Sequence, residues 1–190
     1  MNVVIFGPPG AGKGTQSNYI FKKFNLYQLS TGELLRKEIV NKTILGKKIS
    51  SIINAGNLVS DEIVGNLIEK YISDKTLKNR LIFDGYPRNL FQAKHLNYLL
   101  SKNNQKIDIA LKLNVSLETI KKRIKERKNF EKREDDVEEI AIKRYETYEV
   151  NIKPVIDFYK KTGLLKVING EASISEISDE ISGLINSIKG

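Results

Sequence analysis

The stretch GPPGAGKGTQ, residues 7–16, meets the phosphate-loop pattern G-x-x-x-x-G-K at Gly7, Gly12 and Lys13, but Gly14 stands where a magnesium-binding hydroxyl is usual. In such a loop the glycines let backbone N–H groups converge on phosphate oxygens. The following helix N-terminus adds partial positive charge, and Lys13 adds a full one. A glycine-rich turn that matched by chance would lack the apolar strand before it, the helix after it and the lysine in register. A second chemical element is LIFDGYPR, residues 81–88. Asp84 ends an apolar run, so it belongs at the carboxyl edge of a strand. There it either holds magnesium through water, if the strand neighbours the loop, or simply starts the Asp84-Gly85 turn. Arg88, four residues on, is placed to fork a phosphate at the same edge. The third element is an arginine series, Arg123, Arg127, Arg133 and Arg144. Taken singly these fit a salt-bridged helix surface; taken with a phosphate loop they fit convergence on a transferred phosphoryl group, a reaction catalysed by positioning and charge.

Short apolar runs at Val3–Phe6, around Tyr27–Leu29, and at Leu81–Phe83, Ile109–Leu113 and Leu165–Ile168 are separated by helix-length segments. That alternation predicts an α/β chain with a parallel sheet, whose ligands gather beyond the carboxyl ends of the strands. Ser30-Thr31-Gly32-Glu33 fits a capping box, Ser60-Asp61-Glu62 a second helix start, and Gly56 a helix terminator. Residues 30–59 therefore read as a small helical insertion. Arg123 and Arg127 share one helix face, the charged stretch KNFEKREDD reads as a loop, and DDVEEIAIKRYETYEVNIKPVIDFYKK is one amphipathic pattern with Pro154 as its kink or break.

The chain of 190 residues, 40% hydrophobic, is long enough for one α/β domain, which argues against a disordered or fibrous protein. It has no apolar run of membrane-spanning length and no signal-peptide pattern at MNVVIFG, so a soluble, unexported, cytoplasmic protein is expected. With no cysteine, disulfides, cysteine–zinc sites and thiol catalysis are excluded. The net charge of +9 is compatible with nucleic acid, an anionic membrane or a polyanionic small substrate. The lysines are scattered without interleaved aromatics, which favours a solvated basic surface over a nucleic-acid site.

GPPGAGKGTQ, LSTGELLR, GNLVSDEIV, DGYPRNLFQA, RIKER and REDD followed by KRYETY occur in order across nearly the whole chain. In these motifs the sequence resembles the adenylate kinases. In that pattern the loop lysine is followed by glycine and then threonine, as in Lys13-Gly14-Thr15, so the loop is intact for its family. The resemblance implies a P-loop nucleoside monophosphate kinase fold, a five-stranded parallel sheet surrounded by helices, in a single domain spanning 1–190. Within it, residues 30–59 form the monophosphate-binding insertion and 127–133 a short lid. It implies magnesium-dependent, reversible transfer of the terminal phosphoryl group of ATP to AMP. Gly10, Ala11, Gly12, Lys13, Gly14 and Thr15 would wrap the ATP phosphates, Arg127 would face donor phosphate or adenine, and Ala172 would touch the donor adenine. Thr31, Arg36, Asn57, Leu58, Val59, Gly85, Tyr86, Pro87, Arg88 and Gln92 would hold AMP. Arg88, Arg123, Arg133 and Arg144 would clamp phosphates with Lys13 at the transfer step, Arg133 and Arg144 also contacting AMP. Magnesium would be held through water near Thr15 and Asp84. Only KNFEK separates Arg127 from Arg133, so this is a short-lid form with no zinc site, and the insertion is expected to do much of the closing.

The similar UMP/CMP kinases usually carry Ala where this chain has Thr31 and Asn where it has Gln92; both residues here can hydrogen-bond adenine, which favours AMP. A UMP/CMP kinase, a non-catalytic nucleotide-binding module and a nucleic-acid-dependent ATPase are the competing readings. The full arginine set argues against a mere binder, and no strand-binding surface supports the ATPase. The expected partners are ATP, AMP and ADP, with no nucleic acid or membrane, and a monomer is the default. His95, the only histidine, reads as a packing or surface residue. Asp135 or Asp136 would orient Arg123 or start the next helix.

Overall fold

The computed structural model describes residues 1–131 and 137–189. Five strands, β1 (Val3–Phe6), β2 (Tyr27–Ser30), β3 (Leu81–Asp84), β4 (Ile109–Asn114) and β5 (Leu165–Asn169), fall on the five apolar runs. They pair in parallel in the order β2-β3-β1-β4-β5. In this register Asp84 lies level with Ile5 of β1 on one side and Ser30 of β2 on the other. The carboxylate at the end of β3 is thereby set beside the mouth of the glycine-rich loop.

Alternation along each strand divides the core into two layers. Val4, Phe6, Leu29, Leu81, Phe83 and Ala110 face one layer, built with α2 (Thr31–Val40), α3 (Ile44–Asn54), α4 (Asp61–Ile72) and α5 (Leu90–Lys102). Val3, Ile5, Ile82, Ile109, Leu111 and Leu113 face the other, against α1 (Lys13–Phe24), α6 (Leu117–Glu131) and α8 (Ile174–Lys189). The long α7 (Glu138–Lys161) serves both, giving Ala141 to the second layer and Ile152, Val155 and Tyr159 to the first.

Several local expectations are altered. Pro154 does not break α7, which runs through it. The proline removes one N–H, but Ile152, Val155 and Tyr159 are anchored in the core around it, so packing holds the helix where local propensity would end it. The stretch KNFEKREDD is not all loop: α6 continues to Glu131, because lysine, arginine and glutamate extend a helix readily and no glycine or proline stops it. Residues 132–136, and with them Arg133, Asp135 and Asp136, lie outside the described residues. Ser30 caps α2, accepting from Glu33 N at 3.4 Å, whereas Ser60 stands at the cap position of α4 with no side-chain cap bond.

The insertion is tightly joined. Thr43 Oγ1 accepts from Gly46 N at 2.9 Å and donates to Glu38 Oε2 at 2.6 Å, folding α3 back on α2. Gly46 has no side chain because a Cβ there would overlap the backbone carbonyl of Glu38. Gly56, at φ 72°, ends α3, its N–H donating to Ile53 O at 2.9 Å. Lys143 of α7 donates to the neighbouring Ala55 O at 2.9 Å.

This contrast predicts opposite outcomes for two helical glycines. Gly46→Ala should destabilise the fold by about 1–3 kcal/mol, since backbone overlap outweighs the gain in helix propensity. Gly183→Ala, in open space on α8, should stabilise it by about 0.5–1 kcal/mol. Urea unfolding of both variants reads the signs, and a neutral Gly46→Ala would contradict the close approach.

Candidate active site

The turn from β1 into α1 is closed by Ala11 N donating to Pro8 O at 3.1 Å. Gly10 and Gly12 take φ values of 85° and 93°, which a side chain would resist, and Gly12 opens α1. Lys13 folds its ammonium back over the loop, donating to Gly7 O at 2.8 Å and Pro8 O at 3.0 Å. Gln16, one turn on, is buried. It donates to Ile174 O at 3.2 Å and accepts from Ser178 Oγ at 3.0 Å, tying α1 to α8. Arg123 reaches over from α6, donating through Nη1 to Ala11 O at 3.3 Å and through Nη2 to Gly170 O at 2.9 Å. One guanidinium thus joins the phosphate loop to the turn that carries Ala172.

The opposite lobe is built on the end of β3. Thr31 Oγ1 donates to Gly85 O at 2.9 Å, so toward any ligand it offers lone pairs. Arg88 Nε donates to the same carbonyl at 2.7 Å. Gln28 Nε2 donates to Asp84 Oδ2 at 3.3 Å. Gln92 accepts at Oε1 from Arg88 N at 2.7 Å and donates from Nε2 to Asp61 Oδ1 at 2.7 Å.

Between the lobes lies a cavity of about 820 Å³. Every site residue singled out from the sequence that falls within the described residues borders it. Arg133 is the one that lies outside them. Tyr86 borders the cavity but is only 1% exposed and packs in the core. Its phenol finds no hydrogen-bond partner among the described residues, and burial, followed by the charge of Asp61, pushes its ionisation well up. Thr147, Tyr148 and Asn151 also line the cavity and went unnoticed. Their spacing from Arg144 places them on one face of α7, but an ordinary amphipathic helix looks the same. His95 lies off the cavity on α5, its ring between those of Phe91 and Tyr98 at centroid distances of 6.3 and 6.4 Å.

Charge is the cavity's dominant feature. Burial pushes Lys13 down to about 8; Asp84 opposes the shift, and Arg88, Arg144 and Arg127 reinforce it. Burial likewise lowers Arg88 to about 10, with Arg144 lowering it further, Asp84 opposing, and Arg36 adding repulsion. Both remain cationic at neutral pH. Such crowding favours a polyanion that supplies the missing negative charge. No cluster of three or more His, Cys, Asp or Glu able to hold a metal occurs among the described residues. Asp84 and Thr15 both border the cavity, and their oxygens are the kind of donor that suits magnesium arriving with phosphates and keeping its waters.

The depressed Lys13 has a definite pH signature. Between about 8 and 10.5 the unfolded chain holds a proton that the folded chain has lost, so this group's contribution to stability rises with pH across that window. A phosphate placed against Lys13 reverses the shift. ATP binding should therefore take up a proton above pH 8 and weaken by up to about tenfold per pH unit there, while staying nearly level below. Calorimetry in buffers of different ionisation enthalpy measures the uptake. Equal uptake by the unsubstituted protein and Lys13→Met would contradict the assignment.

Comparison with known proteins agrees with this geometry. The family model described as Adenylate kinase matches residues 5–164. The chain is 42% identical to an adenylate kinase of Pelagibacter ubique over an alignment of 211 positions including gaps, covering 97% of this chain and 99% of the relative. It is 36% identical to the adenylate kinase of Fusobacterium nucleatum, over 95% and 96% of the two chains. It is 40% identical to that of Leptospira biflexa over 179 aligned residues, covering 94% and 96%. Similarity of this depth over nearly the full length of both partners leaves no room for a shared loop alone: the chain belongs to the adenylate kinase family, the nucleoside monophosphate kinases that carry out reversible, magnesium-dependent phosphoryl transfer from ATP to AMP.

Proposed function

We propose that the two lobes of the cavity hold ATP and AMP with their phosphates meeting at Lys13. The observation that carries this reading is the convergence of Lys13, Arg88, Arg144, Arg127 and Arg36 on one cavity, where burial first and neighbouring cations after it depress Lys13 and Arg88. Gly10 to Thr15, Arg127 and Ala172 take the donor. Thr31, Arg36, the stretch from Asn57 to Val59, Gly85 to Arg88, and Gln92 take the acceptor. An oxygen of the AMP phosphate attacks the terminal phosphorus of ATP, the bond from that phosphorus to the ADP oxygen breaks, and two ADP result. No side chain forms a covalent intermediate. Lys13, Arg88, Arg123, Arg133 and Arg144 stabilise the charge spread over the transferred oxygens and keep the reacting groups in line. Thr15 and Asp84 would hold magnesium through water, and the ion would supply further charge neutralisation when bound with ATP.

Selection of AMP over CMP and UMP is assigned to Thr31 and Gln92, whose buried polar atoms would be left unpaired by a pyrimidine. Residues 30–59 are assigned as the acceptor-binding insertion and 127–133 as a short lid. The alignment with the Pelagibacter relative is longer than the present chain, so that protein carries residues with no counterpart here, in keeping with a compact lid. We assign a monomer whose partners are ATP, AMP and ADP. No helix among the described residues is long and apolar enough to cross a membrane; the assignment to the cytoplasm rests on membership of the adenylate kinase family.

The direct test is ADP formation from Mg-ATP with AMP, CMP, UMP or no acceptor. Rapid ADP formation with AMP alone is expected, and preference for CMP or UMP would overturn the acceptor assignment. Lys13→Met should lower kcat by at least about 10²-fold while leaving thermal unfolding nearly unchanged. Retained turnover would remove Lys13 from the mechanism. Closure by the insertion predicts a smaller radius of gyration in solution scattering when a bisubstrate analogue of linked adenosines binds, and no compaction would count against it.

A further inference from the structure

Asp61 lies outside the cavity lining and, as the first residue of α4, reads from the sequence as nothing more than helix-start charge. In the structure its carboxylate turns toward α5. Oδ1 accepts from Gln92 Nε2 at 2.7 Å, and the two oxygens accept from Asn89 Nδ2 at 3.0 and 3.1 Å. Asn89 in turn caps α5 by accepting from Gln92 N at 2.8 Å. On its other side Gln92 Oε1 accepts from Arg88 N at 2.7 Å. These contacts give the Gln92 amide a single orientation. Rotated by half a turn, it would set its oxygen against the Asp61 carboxylate and its N–H against the Arg88 N–H, so both bonds would become repulsions.

Once those bonds are made, Gln92 retains one lone pair on Oε1 and one N–H on Nε2 with no protein partner among the described residues, and the residue borders the cavity at 2% exposure. A 6-aminopurine offers a matching edge, an amino donor beside the N1 acceptor. A 6-oxopurine offers the reverse, an oxygen beside an N1–H donor. Thr31 points the same way, because its single proton is spent on Gly85 O. An unconstrained glutamine would accept either base by rotating.

We propose that Asp61 is a positioning residue that locks the Gln92 amide and thereby sets the preference for a 6-aminopurine over a 6-oxopurine monophosphate. This rests on the assignment of Thr31 and Gln92 to the acceptor base. Asp61 itself touches no substrate; it acts through the amide it holds. The near-isosteric Asp61→Asn can either accept from Gln92 Nε2 or donate to a rotated Oε1, so only the bond from Arg88 N still favours one orientation and the lock is weakened with little change in shape.

The test is calorimetric titration of AMP and IMP into the unsubstituted protein and Asp61→Asn. The ratio of the IMP to the AMP dissociation constant should fall by about tenfold in the variant, the order of one hydrogen bond, while ATP affinity stays constant. An unchanged ratio overturns the proposal, as does an equal loss for both monophosphates. The readout is binding, so it is independent of whether phosphoryl transfer to AMP occurs, which the acceptor assay decides separately. A second measurement needs no substitution. Neutron diffraction from crystals of the AMP complex, which distinguishes the amide nitrogen from its oxygen, should place the Gln92 Nε2 deuterons toward Asp61 and Oε1 toward Arg88 N. The reverse placement, or a mixture of the two, would show that the amide is not held, and would overturn the proposal even if Asp61→Asn failed to fold.

Discussion

Burial lowers the proton affinity of Lys13 and of Arg88, and neighbouring arginines lower both further, so the cavity holds mutually repelling cations that the fold must keep in place. Flexible side chains on loops would relieve that repulsion by turning to solvent. Here the charges are fixed to rigid supports: Lys13 starts a helix and is bonded back to two loop carbonyls, Arg123 is bonded to two backbone carbonyls, and Arg88 is bonded to the turn at the end of β3. Asp84, level with Ile5 in the sheet, supplies partial compensation. The parallel sheet makes this possible because all its strands deliver their carboxyl ends to one edge. Binding a polyphosphate then relieves repulsion already built in, which is one form of preorganisation.

The two lobes meet this constraint differently. Under the proposed assignment, backbone N–H groups and Lys13 on the loop side deal with phosphate and carry little information about the base. On the side of β3 the hydrogen-bonding capacity of Thr31, Arg88, Gln92, Asn89 and Asp61 is directed, each group fixing the orientation of the next. In the proposed reading charge therefore serves transfer, and directed dipoles serve discrimination. The family's chemistry needs both within one cavity, because donor and acceptor carry the same base and differ in where their phosphates must end.

Legibility in the sequence followed the physics of each feature. The strands were readable because parallel strands buried on both faces become apolar runs, as in Val3–Phe6 and Leu81–Phe83. The loop was readable because close backbone approach to an anion demands glycine at set positions. What escaped notice depends on contacts between distant segments. Pro154 carries a local signal to stop, and only the anchoring of Ile152, Val155 and Tyr159 overrides it. The helical course of residues 128–131 follows from a propensity that charge-rich composition disguised as loop. Asp61 looks like any acid at a helix start. Its partners lie about thirty residues on, and nothing local marks it as a neighbour of Gln92.

Pro154 also bears on the mechanics of α7. Lacking an N–H, it leaves the carbonyl of Val150 without its usual helical partner, and Val150 is 77% exposed, so water can take that place. A helix resists bending through its ladder of axial bonds, and with one rung absent its stiffness is lowest there. Arg144 stands about 15 Å along the axis from that point. The segment that bears it also packs against the insertion, through Lys143 on Ala55 and through Ile140 and Arg144 beside Gly56. The segment beyond the proline is rooted in the core by Val155 and Tyr159. The helix thus has the form of a lever with its compliant point near the fulcrum and a cavity-lining arginine on the long arm.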